Sequence, residues 1–308
     1  MSTPAQHPAP CIALAGSTGT IGQAVHRELL RRGYAVHELG RPPFKLPSAC
    51  QTVISCMASR TGLPDDAWAV DYQAQRDLLA CLQQGLSAKA GQAHFILLSA
   101  ICVQRPALAF QEAKLAFERE LVNSGPRYTI VRPTAFFKSL SGQVARVLSG
   151  KPFMVFGNGE LTRCKPISDN DLAVYLVDCL NDSSRWSQTL VIGGPGPAIS
   201  PLGQARLLEH ILGRPVPVRH VPLWFMRGLV RLLDGLGLVV PGARKKAMLA
   251  RIGLYYATES MLVWNPTEQR YSDQQTPEFG QDRLEDHYKD LISGRAQAEL
   301  GSHAVFKN

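Results

Sequence analysis

The chain is defined first by what it lacks. Among its 308 residues no apolar run is long enough to cross a bilayer, since the most apolar stretch, Leu223 to Pro241, is interrupted by Arg227, Arg231 and Asp234. A membrane-spanning helix is thereby excluded. Long runs of one charge are also missing. The net charge is +8, but Lys and Arg are scattered among Asp and Glu, which argues against a nucleic-acid partner and is partly explained by a polyanionic small ligand. The seven cysteines (Cys11, Cys50, Cys56, Cys81, Cys102, Cys164, Cys179) form no C-x-x-C pair and accompany no His-rich spacing. Their odd, dispersed arrangement argues against a disulfide framework and a metal cluster, and suits a reducing compartment. Met1 to Pro10 is polar and Pro-rich, without the apolar stretch of a signal peptide or the Arg/Ser richness of a transit peptide, so a bacterial cytoplasm is the expected location. Internal repeats and low-complexity segments are absent as well.

What is present reads as an α/β protein. With 45% hydrophobic residues, the chain can bury the core of one large α/β unit or of a nucleotide-binding domain carrying a smaller lobe. Short apolar runs at Cys11 to Ala15, Tyr34 to Leu39, Thr52 to Cys56, His94 to Ser99 and Tyr128 to Val131 predict strands. Helical patterns occupy Gln23 to Arg32, Asp71 to Gln84 and Phe110 to Asn123 between them. Strands alternating with helices predict a Rossmann-type, doubly wound parallel sheet over residues 1–150. From Phe136 the texture is less regular: a helix to Ser149, a strand at Phe153 to Phe156, a helix from Asp169 to Leu180, and a strand at Thr189 to Ile192. Gly- and Pro-rich joints at Gly193 to Pro197, Gly213 to Pro217 and Pro241 to Gly242 separate short helical pieces. Residues 151–308 are therefore expected to form mainly a smaller substrate lobe, interleaved with the first domain. Within it, Leu223 to Pro241 reads as an amphipathic helix of that lobe. Its alternative is a helix lying on a membrane surface, with Arg244, Lys245 and Lys246 touching anionic lipid.

Directly after the first strand comes Gly16-Ser17-Thr18-Gly19-Thr20-Ile21-Gly22, which opens the first helix. Strand, glycine loop, helix is the context in which such glycines let the backbone approach a pyrophosphate, while free N–H groups at the helix N-terminus meet its charge. The hydroxyls of Ser17, Thr18 and Thr20 are further donors. The second strand runs into Gly40-Arg41, and Arg41 could fork onto a ribose 2′-phosphate, which favours NADP(H); Glu38, three residues earlier, would reverse that preference if it faced the ribose.

Ser99 ends the fourth strand, and Phe110-Gln-Glu-Ala-Lys114 lies on the helix that follows. This is the Ser, Tyr-x-x-x-Lys layout of short-chain dehydrogenases with the tyrosine replaced. At a spacing of four, Phe110 and Lys114 share one helix face, and a phenyl ring cannot protonate a carbonyl oxygen. Carbonyl chemistry is therefore disfavoured, leaving reduction of an activated alkene or cofactor binding without turnover. Lys114 is a candidate to bond the nicotinamide ribose and support proton delivery, against the plain reading of a solvated helix lysine. Ser99 stands equally as a catalytic hydroxyl or a strand-end cap.

With Ser99-Ala-Ile-Cys-Val103, Val131-Arg-Pro-Thr-Ala-Phe-Phe-Lys-Ser139, Cys164-Lys-Pro-Ile-Ser168, Ile192-Gly-Gly-Pro-Gly196 and Tyr255-Tyr-Ala-Thr-Glu-Ser-Met-Leu262 added, the chain resembles the divinyl chlorophyllide a 8-vinyl reductase family, of the NADPH-dependent, ferredoxin-independent type. The resemblance implies an atypical short-chain dehydrogenase that reduces the 8-vinyl group of 3,8-divinyl chlorophyllide or protochlorophyllide to ethyl. It places Cys56, Arg132 and Pro133 at the cofactor beside the glycine loop. Phe110, Thr134, Phe136, Phe137 and Lys165 fall at the pigment. Phe136 and Phe137 are candidates for the wall of a flat apolar slot, and Arg132 and Lys165 for the pigment's carboxylate, each against a plain core or solvated reading. Two rivals remain: a nucleotide-sensing regulator without turnover, and a reductase of another conjugated alkene or quinone. One departure from the family stands out. Between Arg41 and Val53 there are only about a dozen residues, too few for the outer strand and crossover helix usual there.

Overall fold

Six of the apolar runs pair in parallel into one sheet in a computed structural model that describes residues 10–84, 93–237 and 240–296. The first five strands are β1 (Cys11–Ala15), β2 (Ala35–Leu39), β3 (Cys50–Ser55), β4 (His94–Leu98) and β5 (Arg127–Pro133). β6 (Phe153–Phe156) leaves the sheet, and β7 (Gln188–Ile192) returns to it, giving the order β2-β1-β3-β4-β5-β7. Every residue of β4 is buried, as its unbroken His-Phe-Ile-Leu-Leu run demands of a strand covered on both faces. The helices follow in chain order: α1 (Thr20–Arg31), α2 (Pro64–Ala67), a π-helical stretch (Trp68–Ala74), α3 (Gln75–Gln84) and α4 (Ala109–Val122). Then come α5 (Phe137–Leu140), α6 (Val144–Leu148), α7 (Asp169–Asp178), α8 (Pro201–Leu212), α9 (Leu223–Gly237), α10 (Pro241–Thr258) and α11 (Leu284–Ile292). Residues of α1 and α7 share one core with the sheet (Leu14, Val25, Ile96, Leu176), and those of α3 and α4 share the other (Val53, Leu78, Phe95, Phe117).

The outer strand that the short Arg41 to Val53 segment could not supply is absent, so β2 is an edge. Phe44 closes the gap, buried with Leu39 and Cys50, while its carbonyl accepts from the Cys81 thiol at 3.5 Å. The same short connection brings β3 directly beside β1 and sets Cys50 opposite Cys11. Those two cysteines are joined, with Cα atoms 4.7 Å apart, where the sequence had argued against disulfides; the remaining five are free. Their pairing is a product of strand register, which spacing along the chain does not reveal.

From the second half, β7 joins the main sheet and α7 packs in the core beneath it. The rest forms a layer in which β6 pairs with β8 (Val218–Val221), over a core of Phe137, Phe153, Leu208 and the fully buried Tyr288. A hairpin of β9 (Val263–Asn265) and β10 (Arg270–Ser272) lies outside it. The expected helix from Phe136 to Ser149 is broken at Ser141–Gln143 into α5 and α6, and α8 and α10 are longer than the short pieces anticipated. No helix of the described residues is long and apolar enough to cross a membrane. The polar N-terminal start, apart from Pro10, lies outside the described residues, as do 238–239 in the amphipathic stretch.

One buried ionic cluster ties α1 to α7. Glu28, 8% exposed, accepts from Arg31 at 2.7 Å and Arg32 at 2.6 Å, and Arg32 reaches Asp178 of α7 at 2.7 Å. The Arg31 hydrogen bond, with that of Arg32, holds the Glu28 carboxyl at about 2, against 4.5 for a free glutamate. A depressed carboxyl contributes stability that is complete above 4.5 and drains as pH falls towards 2. Glu28→Gln should therefore cost about 2 kcal/mol at neutral pH and flatten the loss of stability between pH 4.5 and 2, as followed by urea unfolding across that range.

Candidate active site

The site forms where strand order reverses, at the C-terminal ends of β1 and β3. Gly16 takes φ +78°, and a Cβ there would sit 2.8 Å from the Cys56 carbonyl carbon. At Gly22 a Cβ would lie 2.0 Å from the Gly16 oxygen. The loop is thus folded tightly against the start of α1 and against the segment after β3. Gly19 caps α1 and makes no side-chain cap hydrogen bond. These residues fit a pyrophosphate: backbone donors, no side chain in the way, and the positive end of a helix. Lys138 of α5 adds a cation the sequence reading missed, donating to Thr20 Oγ1 at the helix start. Its position in the Val131 to Ser139 motif gave no hint that α5 would fold back over α1.

Lys114 is not a solvated helix lysine. It is 11% exposed and its ammonium lies 2.9 Å from Oδ1 of Asp71, whose side chain is wholly buried. That oxygen also accepts from the Ser59 backbone at 3.2 Å, while Oδ2 has no hydrogen-bond partner among the described residues. Asp71 sits in the π-helical stretch, whose wider turn carries a carboxylate on the core-facing side of the segment. One turn on, Gln75 is equally buried, accepting from Ser55 and donating to the Met57 carbonyl. The sequence signal was available: Asp71 and Gln75 share the stripe of Leu78 and Leu82, where polar groups need a reason. Phe110, one turn before Lys114, is half-buried and touches the position a Gly62 Cβ would fill, as does Ile252 of α10. Tyr255 of α10 donates to the carbonyls of Cys102 and Arg105, docking that helix beside the Ser99 loop.

Other residues singled out by sequence are engaged in structural pairs. Ser99 donates to Glu118 of α4, and the Arg132 guanidinium forks onto the same carboxylate. Lys165 is 6% exposed and neutralised by Glu278 at 2.6 Å and Asp273 at 2.9 Å, so it is not a free cation for a pigment carboxylate. Thr134 donates to the Lys165 carbonyl. Phe137 is a core residue, its ring against His287, whereas Phe136 is half-buried at the edge of the other core. Pro133 ends β5 and is buried. Cys56 meets the glycine loop through its backbone, and burial pushes its thiol up to about 12. Arg41 is exposed just beyond β2, and Glu38 lies 3.5 Å from His26 of α1.

A parallel sheet in this order, with a glycine loop at the switch point and a lysine-bearing helix beside it, defines a Rossmann-type protein of the short-chain dehydrogenase class, atypical because Phe110 replaces the tyrosine. Solved structures of like fold include the UDP-glucose 4-epimerase of Thermus thermophilus in complex with NAD, with 16% identity and a TM-score of 0.55 over 69% of this chain and 86% of that one. A nucleoside-diphosphate-sugar epimerase of Staphylococcus aureus has 15% identity and a TM-score of 0.57 over 90% and 99%. No family model matches the chain. Sequence relatives are nearer. The divinyl chlorophyllide a 8-vinyl-reductase of Oryza sativa subsp. indica is 41% identical over 96% of this chain and 82% of its own, and that of Arabidopsis thaliana 39% over 94% and 79%. The chain belongs to the divinyl chlorophyllide a 8-vinyl-reductase family of oxidoreductases.

Two substitutions test the site. Gly22→Ala should lower dinucleotide affinity more than tenfold in a fluorescence titration, because its Cβ would force the loop off α1. Asp71→Asn strands a buried ammonium and should cost about 3 kcal/mol in urea unfolding, whereas Asp71→Asn with Lys114→Met should recover most of that stability.

Proposed function

We propose that the chain reduces the 8-vinyl group of 3,8-divinyl chlorophyllide a, or of the protochlorophyllide, to ethyl, with NADPH as reductant. The observation that carries this reading is Phe110 beside Lys114, in a chain 41% identical to reductases of that name. A site built to reduce a carbonyl needs an acid at the oxygen; a conjugated alkene does not. When bound, the dinucleotide supplies a hydride for the terminal vinyl carbon, and a proton completes the inner carbon, so CH=CH2 becomes CH2–CH3. The electron pair spreads into the macrocycle, which removes the need for an oxyanion stabiliser.

The chain's own residues orient and enclose. The glycine loop and the N-terminus of α1 hold the pyrophosphate, with Lys138 alongside. Arg41 meets the 2′-phosphate, a choice supported by Glu38 lying near His26. Lys114, fixed by Asp71, bonds the nicotinamide ribose and supports proton delivery. Phe110, Ile252 and Phe136 offer apolar surface to a flat pigment. We place the protein in a bacterial cytoplasm.

Anaerobic incubation with NADPH and divinyl chlorophyllide a should shift the pigment's absorption and yield the 8-ethyl product by chromatography. NADPH should outpace NADH, and Arg41→Ala should erase that preference. Lys114→Ala should cut turnover more than NADPH binding; unchanged turnover would sink its catalytic role. Dinucleotide binding without conversion of either divinyl pigment would replace the reductase with a nucleotide sensor.

A further inference from the structure

α9 is amphipathic on two sides. Met226 and Val230, one turn apart, are buried and seat it on the protein. Away from them Trp224 (73% exposed), Phe225 (52%), Leu232 (60%) and Leu236 (47%) face solvent, and their spacing puts all four on one stripe. Arg227 and Arg231, also one turn apart and exposed, run along the edge of that stripe. Val240 is exposed as well, and the first turns of α10 carry exposed Arg244, Lys245 and Lys246. From Leu223 to Lys246 these five cations face a single carboxylate, Asp234, which is already paired with Arg251 of α10 at 2.8 Å. That ion pair, and the close approach of Gly237 to the Arg244 backbone, hold α9 and α10 as one hairpin.

From this surface we infer that the α9–α10 hairpin is a docking face for an anionic lipid bilayer, lying in the plane of the headgroups. Trp224 and Phe225 enter the headgroup region, the leucines follow them to the acyl boundary, and the arginines and lysines meet lipid phosphates. Neither α9 nor α10 is long and apolar enough to span the bilayer, so the contact is with its surface. A second copy of the chain suits the face badly. A two-fold contact sets the same patch against itself, which would bring five cations onto five with no free carboxylate between them. The inference stands on the exposed stripe alone and does not need the reductase reading.

Flotation of the full chain with phosphatidylcholine vesicles, with and without phosphatidylglycerol, tests it directly. Binding should demand phosphatidylglycerol, weaken as salt is raised, and shift tryptophan emission to the blue. Trp224→Ser with Phe225→Ser should weaken vesicle binding by roughly tenfold. Arg244→Glu, Lys245→Glu and Lys246→Glu together should abolish the dependence on phosphatidylglycerol. Both variants alter exposed side chains only, so circular dichroism and dinucleotide affinity should match the parent chain. Failure of the parent chain to float with phosphatidylglycerol vesicles at low salt overturns the inference, as does equal flotation of parent and variants. So does a concentration-dependent dimer, seen by sedimentation velocity, that the Trp224 and Phe225 changes dissolve.

Discussion

The carbonyl oxygen of Gly16 lies where any side chain on Gly22 would have to go, and the rest of the site is arranged around that closeness. It folds the β1–α1 turn tightly onto the N-terminus of α1. It also leaves space for the segment after β3 to run along the loop, since Gly16 presents no Cβ to the Cys56 backbone. From that segment hangs Ser59, whose N–H orients Asp71, and through Asp71 the ammonium of Lys114 is fixed. A steric constraint at the phosphate end of the crevice is thus connected, residue by residue, to the placement of charge at the other end.

The cations beside the crevice illustrate a second constraint. Lys114, Arg132 and Lys165 are all largely buried, and each is matched by carboxylates: Asp71, Glu118, and Asp273 with Glu278. A buried ammonium or guanidinium without a counter-charge costs several kcal/mol, so a cation at a strand end is neutralised when the fold covers it. Arg132 consequently ties β5 to α4, and Lys165 ties the segment before α7 to the stretch after β10. The Asp71 carboxylate that holds Lys114 has one further buried oxygen, Oδ2, without a hydrogen-bond partner among the described residues.

The short connection between β2 and β3 leaves no strand outside β2 among the described residues. The passage between β2 and β3 is ten residues long, and its Phe44 fills the core with Leu39 while Leu46 packs against it. Closing the sheet this way brings Cys50 opposite Cys11 and leaves β2 as the edge. Beside that edge the chain runs as a loop, with exposed Arg41 at its start.

The alternation of strands and helices, the glycine loop, the missing tyrosine and the short second crossover were all legible in the sequence, because each is written in local pattern: apolar runs, glycines at fixed spacing, a phenylalanine four residues from a lysine, a segment too short for another strand and helix. Pairings between distant residues were not. Asp71 with Lys114, Glu118 with Ser99 and Arg132, Lys165 with Asp273 and Glu278, Lys138 with Thr20, and Cys11 with Cys50 depend on which elements the fold brings together. The same holds for Phe137, apolar in any reading, which only packing assigned to a core shared with Tyr288. Periodicity records which face of an element is apolar; it carries no information about what that face will meet, and charge neutralisation and burial are decided at the meeting.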